Sequence, residues 1–379
     1  ILFDKCNSSN LPFDVIAPGL NQVGIMKAYT PLHDLICKYF GNPLIATSAN
    51  LTNSPIIFSD HDAKENLVSI ADFILSNTRE IVVPQDDSVI RFTKNDQRII
   101  FRRSRGFAPN FFHTSILSPN TLAVGAMLKS AFAFTKNNNV FISQYLGATD
   151  SYETQKAFVQ VYDHLSSVLQ FTPDVVISDK HPGYFTTEWA EQLASLENIP
   201  VKSVQHHEAH FSAILGEHQL WEEKILGFIW DGTGLGNDNQ IWGGETMVYE
   251  QNSITRVAHL PYHSHILGDK MVTEPRISGL SYFSNLPNSE SYLKDKFTDL
   301  EWKAYHKLLE TSTLKTSSMG RLFDAVSSIL NLCNTSTYHG QAAMLLESQA
   351  ELVADKESRK PYPVVLHNLE VDLDLILSE

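Results

Sequence analysis

The segment Val204-Gln205-His206-His207-Glu208-Ala209-His210 places two histidines four residues apart. On a helix, positions i and i+4 lie one turn apart on one face, so the His206 and His210 imidazoles can reach a single metal ion. The zinc-protease pattern is excluded, because His207-Glu208-Ala209-His210 has one residue too few between its histidines. A polar helix start with hydrogen-bonded or exposed histidines has the same spacing, so both readings stay open. A third ligand must come from elsewhere. A second segment, Asp231-Gly232-Thr233-Gly234-Leu235-Gly236-Asn237-Asp238, follows directly after the apolar run 225–230. A carboxylate at a strand end can hold a metal or orient a water. Gly232 and Gly234, on either side of Thr233, let backbone N–H groups approach a phosphate.

This loop is not a Walker A sequence, since no Lys follows, nor a dinucleotide fingerprint, since no helical pattern opens after it. Residues 240–245 read as a second strand. Strand, glycine turn, strand is the phosphate-hairpin arrangement of actin-like ATPases and sugar kinases, and a plain β-hairpin is the alternative. Other polar groups could serve a ligand. Asp324, on a helix expected at 319–330, could bind ribose hydroxyls, and Gly340 opens the backbone to close approach. Ser48 and Asn50 point to one side if extended, and either can bond phosphate or a carbonyl. Arg102, Arg103 and Arg105 concentrate positive charge where guanidinium groups suit phosphate. Each of these also has a structural explanation.

The elements that must position these residues read as α/β. Helices are expected at 62–75, 152–171, 186–194, 206–218 and 319–330. Strands are expected at 80–84, 88–93, 121–125, 174–178, 201–204 and 225–230, with a hairpin from 131–135 and 140–144. Alternating strands and helices indicate α/β architecture. A Gly/Pro/Asn-rich seam over 104–120 separates two modules, 1–118 and 119–379, and a polar seam or insertion is expected over 276–316. Composition is ordinary for a globular chain, with 43% hydrophobic and 19% charged residues among 379. The net charge of −14 argues against general nucleic-acid backbone binding. Three isolated cysteines, Cys6, Cys37 and Cys333, offer no disulfide framework or cysteine zinc site, which points to a reducing cytoplasm. No apolar run is long enough for a membrane helix, and no signal peptide is visible.

Taken together these segments resemble the HypF carbamoyltransferases of nickel–iron hydrogenase maturation. Residues 1–118 look like the later part of a YrdC-like α/β domain, through IAPGLNQVGIMKAYTPLHDLI, PLIATSANL, ADFILSNTREIVVPQDDSVIR and RRSRGFAP. Residues 119–379 look like most of an actin-like (ASKHA) α/β domain related to threonylcarbamoyl-transfer enzymes, through VQHHEAH, DGTGLGNDNQIWGGE, SSMGRLFDAV and YHGQAAMLLE. The resemblance implies that carbamoyl phosphate and ATP give carbamoyl adenylate in the first domain. The carbamoyl group then passes, in the second, to the C-terminal cysteine of a HypE-like partner for cyanide synthesis. By the same resemblance Ser48, Asn50 and Ser88 line the first nucleotide site with Arg103 and Arg105. Gly232, Thr233 and Gly234 lie near phosphates, and Asp324 and Gly340 near a nucleoside. His206, His210 and Asp231 bind a divalent metal, zinc or iron, or magnesium with ATP.

The chain departs from the family where a His and an Asp become Tyr145 and Ala148, where a carboxylate becomes His339, at Thr52-Asn53-Ser54-Pro55, and at Leu267. The resemblance also implies a fragment of two truncated folds. An acylphosphatase-like domain, zinc fingers and the first half of the YrdC-like fold would precede it. A late segment with a further metal-ligating Asp would follow Leu377-Ser378-Glu379, so weak metal affinity is expected. Two other functions fit the same modules. One is an O-carbamoyltransferase of secondary metabolism, disfavoured because its modules run in the opposite order. The other is a catalytically inactive nucleotide- or partner-binding homologue.

Overall fold

The structure is a computed structural model that describes residues 1–5, 11–51, 54–354, 365–367, 370–371 and 373. Cys6, Thr52, Asn53 and residues 377–379 lie outside the described residues. The chain divides by its contacts into two compact units, one of Ile1–Ser9 and Gln22–Val204, the other of Asn10–Asn21 and Gln205–Glu379.

The first unit holds a six-stranded sheet in the order Val201–Val204, Val175–Asp179, Thr121–Ala123, Ala133–Lys136, Asn139–Ile142, Phe111–His113. The first three strands run parallel. Helices Tyr152–Leu169 and Phe185–Glu197 make the crossovers that parallel strands need. The hairpin forms because Asn137 and Asn138 accept positive φ, 50° and 60°, as its two-residue turn demands. Tyr152–Leu169 begins where the Ser151 hydroxyl accepts from the Thr154 N–H, and it buries Phe158, Val161, Tyr162 and Leu165. Trp189 packs edge-on against Phe158 and Tyr162, with ring centroids 5.3 and 4.8 Å away. The expected module boundary after residue 118 falls inside this unit, since Phe111–His113 pairs with Asn139–Ile142. Val89–Phe92 and Arg98–Arg102 form a separate two-stranded ladder.

The second unit is built on a long antiparallel hairpin, Ile225–Leu235 with Ile241–Glu250, continued by Ser253–His259. Lys315–Thr316 joins the hairpin in parallel at Ile241. One apolar cluster holds the His206–His218 helix to the hairpin through Phe211, Leu215, Ile229, Trp242, Met247 and Tyr249. A second gathers Met271, Ile277, Leu280, Leu293, Phe297 and Tyr305.

Four sequence expectations are corrected. The helix at 62–75 covers only Asp60–Asn66, capped by Ser59; Val68 and Ile70, β-branched, follow where it stops. No strand forms over 80–84. The polar stretch 276–316 is not a seam but folds into Pro275–Phe283, Ser289–Leu293 and Asp299–Thr311. Ile277, Leu280, Leu293, Phe297 and Tyr305 share one core, and a Thr298/Glu301 capping box starts the last helix. Finally, the strand at 225–230 does not end at Trp230. It runs to Leu235, with its register shifting between Trp230 and Gly234. The glycine segment is thus a bulge inside a strand, and the hairpin turns at residues 236–240, where the Gly236 N–H donates to the Gln240 carbonyl at 2.8 Å.

Candidate metal centre

The His206–His218 helix starts at His206 because the Gln205 side-chain oxygen accepts the backbone N–H groups of His207 at 2.7 Å and Glu208 at 2.9 Å. That start puts His206 and His210 one turn apart, with their Nε2 atoms 3.2 Å from each other. The bulge after Trp230 turns Asp231 out of the strand ladder toward them. Asp231 Oδ2 lies 3.3 Å from His206 Nε2 and 3.7 Å from His210 Nε2. Donors held about 2.0–2.1 Å from one tetrahedral ion would sit about 3.3–3.4 Å apart. The three separations bracket that value, and all three donor atoms lie within 4.8 Å of one another. Two imidazoles and a carboxylate suit zinc or iron. His210 is 54% exposed at its side chain while His206 and Asp231 are mostly buried, so the cluster is open on one side.

Two glycines are required by close approach. A Cβ on Gly234 would lie 2.5 Å from a His207 ring carbon and 2.6 Å from one of His206. A Cβ on Gly243 would lie 2.7 Å from Asp231 Oδ1 and 2.8 Å from its carbonyl. The loop before the Met319–Ile329 helix fixes the bulge. Ser318 Oγ donates toward the Asp231 and Gly232 carbonyls at 3.1 and 2.8 Å, and as N-cap accepts the Arg321 N–H at 3.1 Å. Glu245, fully buried, accepts from the Gly243 and Gly244 N–H groups and the Ser317 hydroxyl, and pairs with Arg256. Arg256 in turn lies over Trp242, 3.9 Å from the ring centroid.

Burial pushes the Asp231 carboxyl up, but hydrogen bonds from His206 and His207 outweigh it. The carboxyl is held well below the usual carboxylate range and is ionised.

The other expected site residues occupy separate places. Asp324 is buried in the second unit with Arg321 Nη2 at 2.7 Å, and burial pushes its carboxyl up to about 6 against the opposing pull of Arg321. Gly340, exposed at φ 77°, stands directly before the Gln341–Ala354 helix. Thr233, exposed, hydrogen-bonds the Gly232 carbonyl. In the first unit Ser48 Oγ donates to Asn50 Oδ1 at 2.6 Å, and the Asn50 amide donates to the Leu51 and Ser54 carbonyls. Ser88 donates to the Arg105 carbonyl. Arg103 donates to the Ile142 and Asn110 carbonyls, and Arg105 donates to the Gln85 carbonyl beside Asp87. Among the described residues no hydrogen bond joins Ser48 or Asn50 to these arginines. The sequence reading missed Gln205, His207, Ser318 and Glu245. Ser318 carried a signal, a serine directly before an apolar helical pattern; glutamine is not a usual cap.

Residues 117–217 match the family model described as the HypF Kae1-like domain, and 227–379 match the second subdomain of the carbamoyltransferase Kae1-like domain. Residues 1–104 match the Sua5/YciO/YrdC model, described as telomere recombination. The carbamoyltransferase HypF of Synechocystis sp. is 37% identical over 382 residues, covering 94% of this chain and 48% of the relative. The chain belongs to the HypF family. A crystal structure of T. kodakarensis HypF superposes with a TM-score of 0.90 at 30% identity, over 99% of this chain and 50% of that one. A full-length HypF crystallised in a phosphate- and nucleotide-bound form gives 0.87 at 33% identity, over 96% and 48%. The fold is mixed α/β, with a YrdC/Sua5-like part followed by Kae1-like parts. The chain spans about half the length of the curated HypF relatives it matches. No described helix is long and apolar enough to cross a membrane.

Proposed function

We propose that this chain carries the carbamoyl-transfer centre of a HypF enzyme, with His206, His210 and Asp231 as its metal ligands. The observation that carries the proposal is the convergence of these three donors in a chain of this family. In this reading water hydrolyses carbamoyl phosphate to carbamate and phosphate, and a carbamate oxygen then attacks the α-phosphorus of ATP and expels pyrophosphate. The YrdC-like module, residues 1–118, does this with Ser48, Asn50, Ser88, Arg103 and Arg105. The module 119–379 then receives the carbamoyl adenylate. A C-terminal cysteine sulfur of a HypE-like partner attacks the carbamoyl carbon, the C–O bond to AMP breaks, AMP leaves with the bonding pair, and the thiol proton is released.

A divalent ion bound at the centre would neutralise phosphate charge and polarise the carbamoyl carbonyl. The chain's own groups do the rest. His206 and His210 would offer the ion imidazole nitrogens, and the ionised Asp231 a carboxylate oxygen. The backbone N–H groups at Gly232, Thr233 and Gly234 offer fixed donors to phosphoryl oxygens, and Asp324 and Gly340 face the nucleoside. The attacking thiol belongs to the partner, so no catalytic cysteine is needed here. We place the reaction in the cytoplasm, consistent with Cys37 and Cys333 being free.

Two half-reactions test the reading. Changing His206 or His210 to Ala should abolish carbamoyl transfer to a HypE-like C-terminal cysteine, while carbamoyl-phosphate-dependent ATP–pyrophosphate exchange continues. Equal loss of both would contradict the division between modules. The exchange is measured on the full-length protein, where its absence would favour an inactive binding homologue.

A further inference from the structure

We propose that His207 is a positioning residue of this centre: its Nε2–H holds one oxygen of Asp231, leaving the other to face His206 and His210, and Gln205 sets the tautomer. The proposal rests on the metal reading above.

The hydrogen bonds allow one direction at each step. Gln205 is fully buried, and its side-chain oxygen is fixed by the two backbone N–H groups it caps. Its amide nitrogen therefore points the other way, donating to the Leu235 carbonyl at 2.9 Å and meeting His207 Nδ1 at 3.1 Å. An amide nitrogen can only donate, so Nδ1 accepts. The ring proton is then on Nε2, which lies 3.2 Å from Asp231 Oδ1 and donates to it. His207 is itself no candidate ligand, since it is fully buried and both ring nitrogens are engaged.

The consequence lies in the carboxylate. A free carboxylate can rotate about its last bond and offer either oxygen. Here Oδ1 is held by a buried donor, and Oδ2 is the oxygen at 3.3 and 3.7 Å from the two histidines. A supporting hydrogen bond of this kind is typically worth about 10–100-fold in metal affinity. The middle histidine of His206-His207-Glu208-Ala209-His210 is therefore part of the centre rather than a spacer.

Two variants separate this role from packing. His207→Phe keeps an aromatic ring of similar size but has no donor. His207→Gln loses the ring and keeps an N–H where Nε2 was. With Zn2+ titrated calorimetrically into the metal-free whole chain, Phe should weaken binding roughly 10–100-fold and Gln should regain most of it. Phe binding as tightly as the unaltered protein, or Gln weakening as much as Phe, overturns the positioning role alone. No binding by the unaltered protein overturns the metal reading and this role with it. The tautomer has its own measurement, needing no variant to fold: 15N spectra of the metal-free protein should show His207 protonated at Nε2, and protonation at Nδ1 alone would refute the argument.

Discussion

Asp324 shows how far a residue's meaning depends on what surrounds it. In the sequence it is a carboxylate suited to ribose hydroxyls. In the structure it is 5% exposed beside Arg321, and burial lifts its carboxyl from 3.8 to about 6. A group raised on folding keeps its proton in the native state while the unfolded chain has already lost it. Stability is then full below pH 3.8, falls as pH rises toward about 6, and is flat above. A rise of roughly two units corresponds to about 3 kcal/mol at most. Denaturant unfolding of the unaltered protein and Asp324→Asn across this range should show the stability difference shifting against the unaltered protein as pH rises. A constant difference would refute the burial argument. The proposed ligands were easier to single out: i, i+4 spacing drew attention to His206 and His210, and the carboxylate opening the glycine segment to Asp231. His207 and Gln205 were not, because their roles depend on burial and on which way an amide faces.

Residue patterning located several elements well. Val201–Val204 and His206–His218 fall where the sequence put them, and the hairpin at 133–142 is within two residues. It failed at the glycine segment, because a bulge and a turn share a composition and only pairing distinguishes them. It failed at 276–316 because polar outer faces hid the apolar residues at Ile277, Leu280, Leu293 and Phe297. The bulge carries its own prediction. Gly243 stands on the paired strand, where an added Cβ would press on Asp231 Oδ1, the Asp231 carbonyl and, at 3.0 Å, Ser318 Cα. Two of these three are backbone atoms and cannot swing aside. Gly243→Ala should cost about 1–3 kcal/mol of stability, as overpacking generally does, and weaken Zn2+ binding by moving Asp231. Unchanged affinity in calorimetry would mean that the carboxylate is not held where this contact requires.

At the scale of the molecule, composition and motif order carried the family, and neither could say how contacts would group the chain. The strands 121–204 follow the sequence seam yet cluster with residues ahead of it, because the pairing of Phe111–His113 depends on a register no motif encodes. Each apolar cluster lies within one unit. The aromatic core around Phe132, Phe158 and Trp189 is in the first, and the clusters around Phe211, Leu280 and Tyr282 are in the second. All three proposed ligands are also in the second. A ligand that binds only the folded form stabilises by RT ln(1 + [L]/Kd), about 2.7 kcal/mol when free ligand is a hundred times Kd. Zn2+ at that excess should therefore slow exchange of the Ile225–Leu235 and Ile241–Glu250 amides by up to about a hundredfold, which is that free energy read as a rate. Amides of Thr121–Ala123 and Val175–Asp179 should not respond, since the metal touches none of their core. His206→Ala should remove the hairpin's gain without altering exchange in the first unit. Equal slowing in both units would show that the free energy of binding is shared across the whole chain, and no slowing in the hairpin would leave the three ligands without a metal.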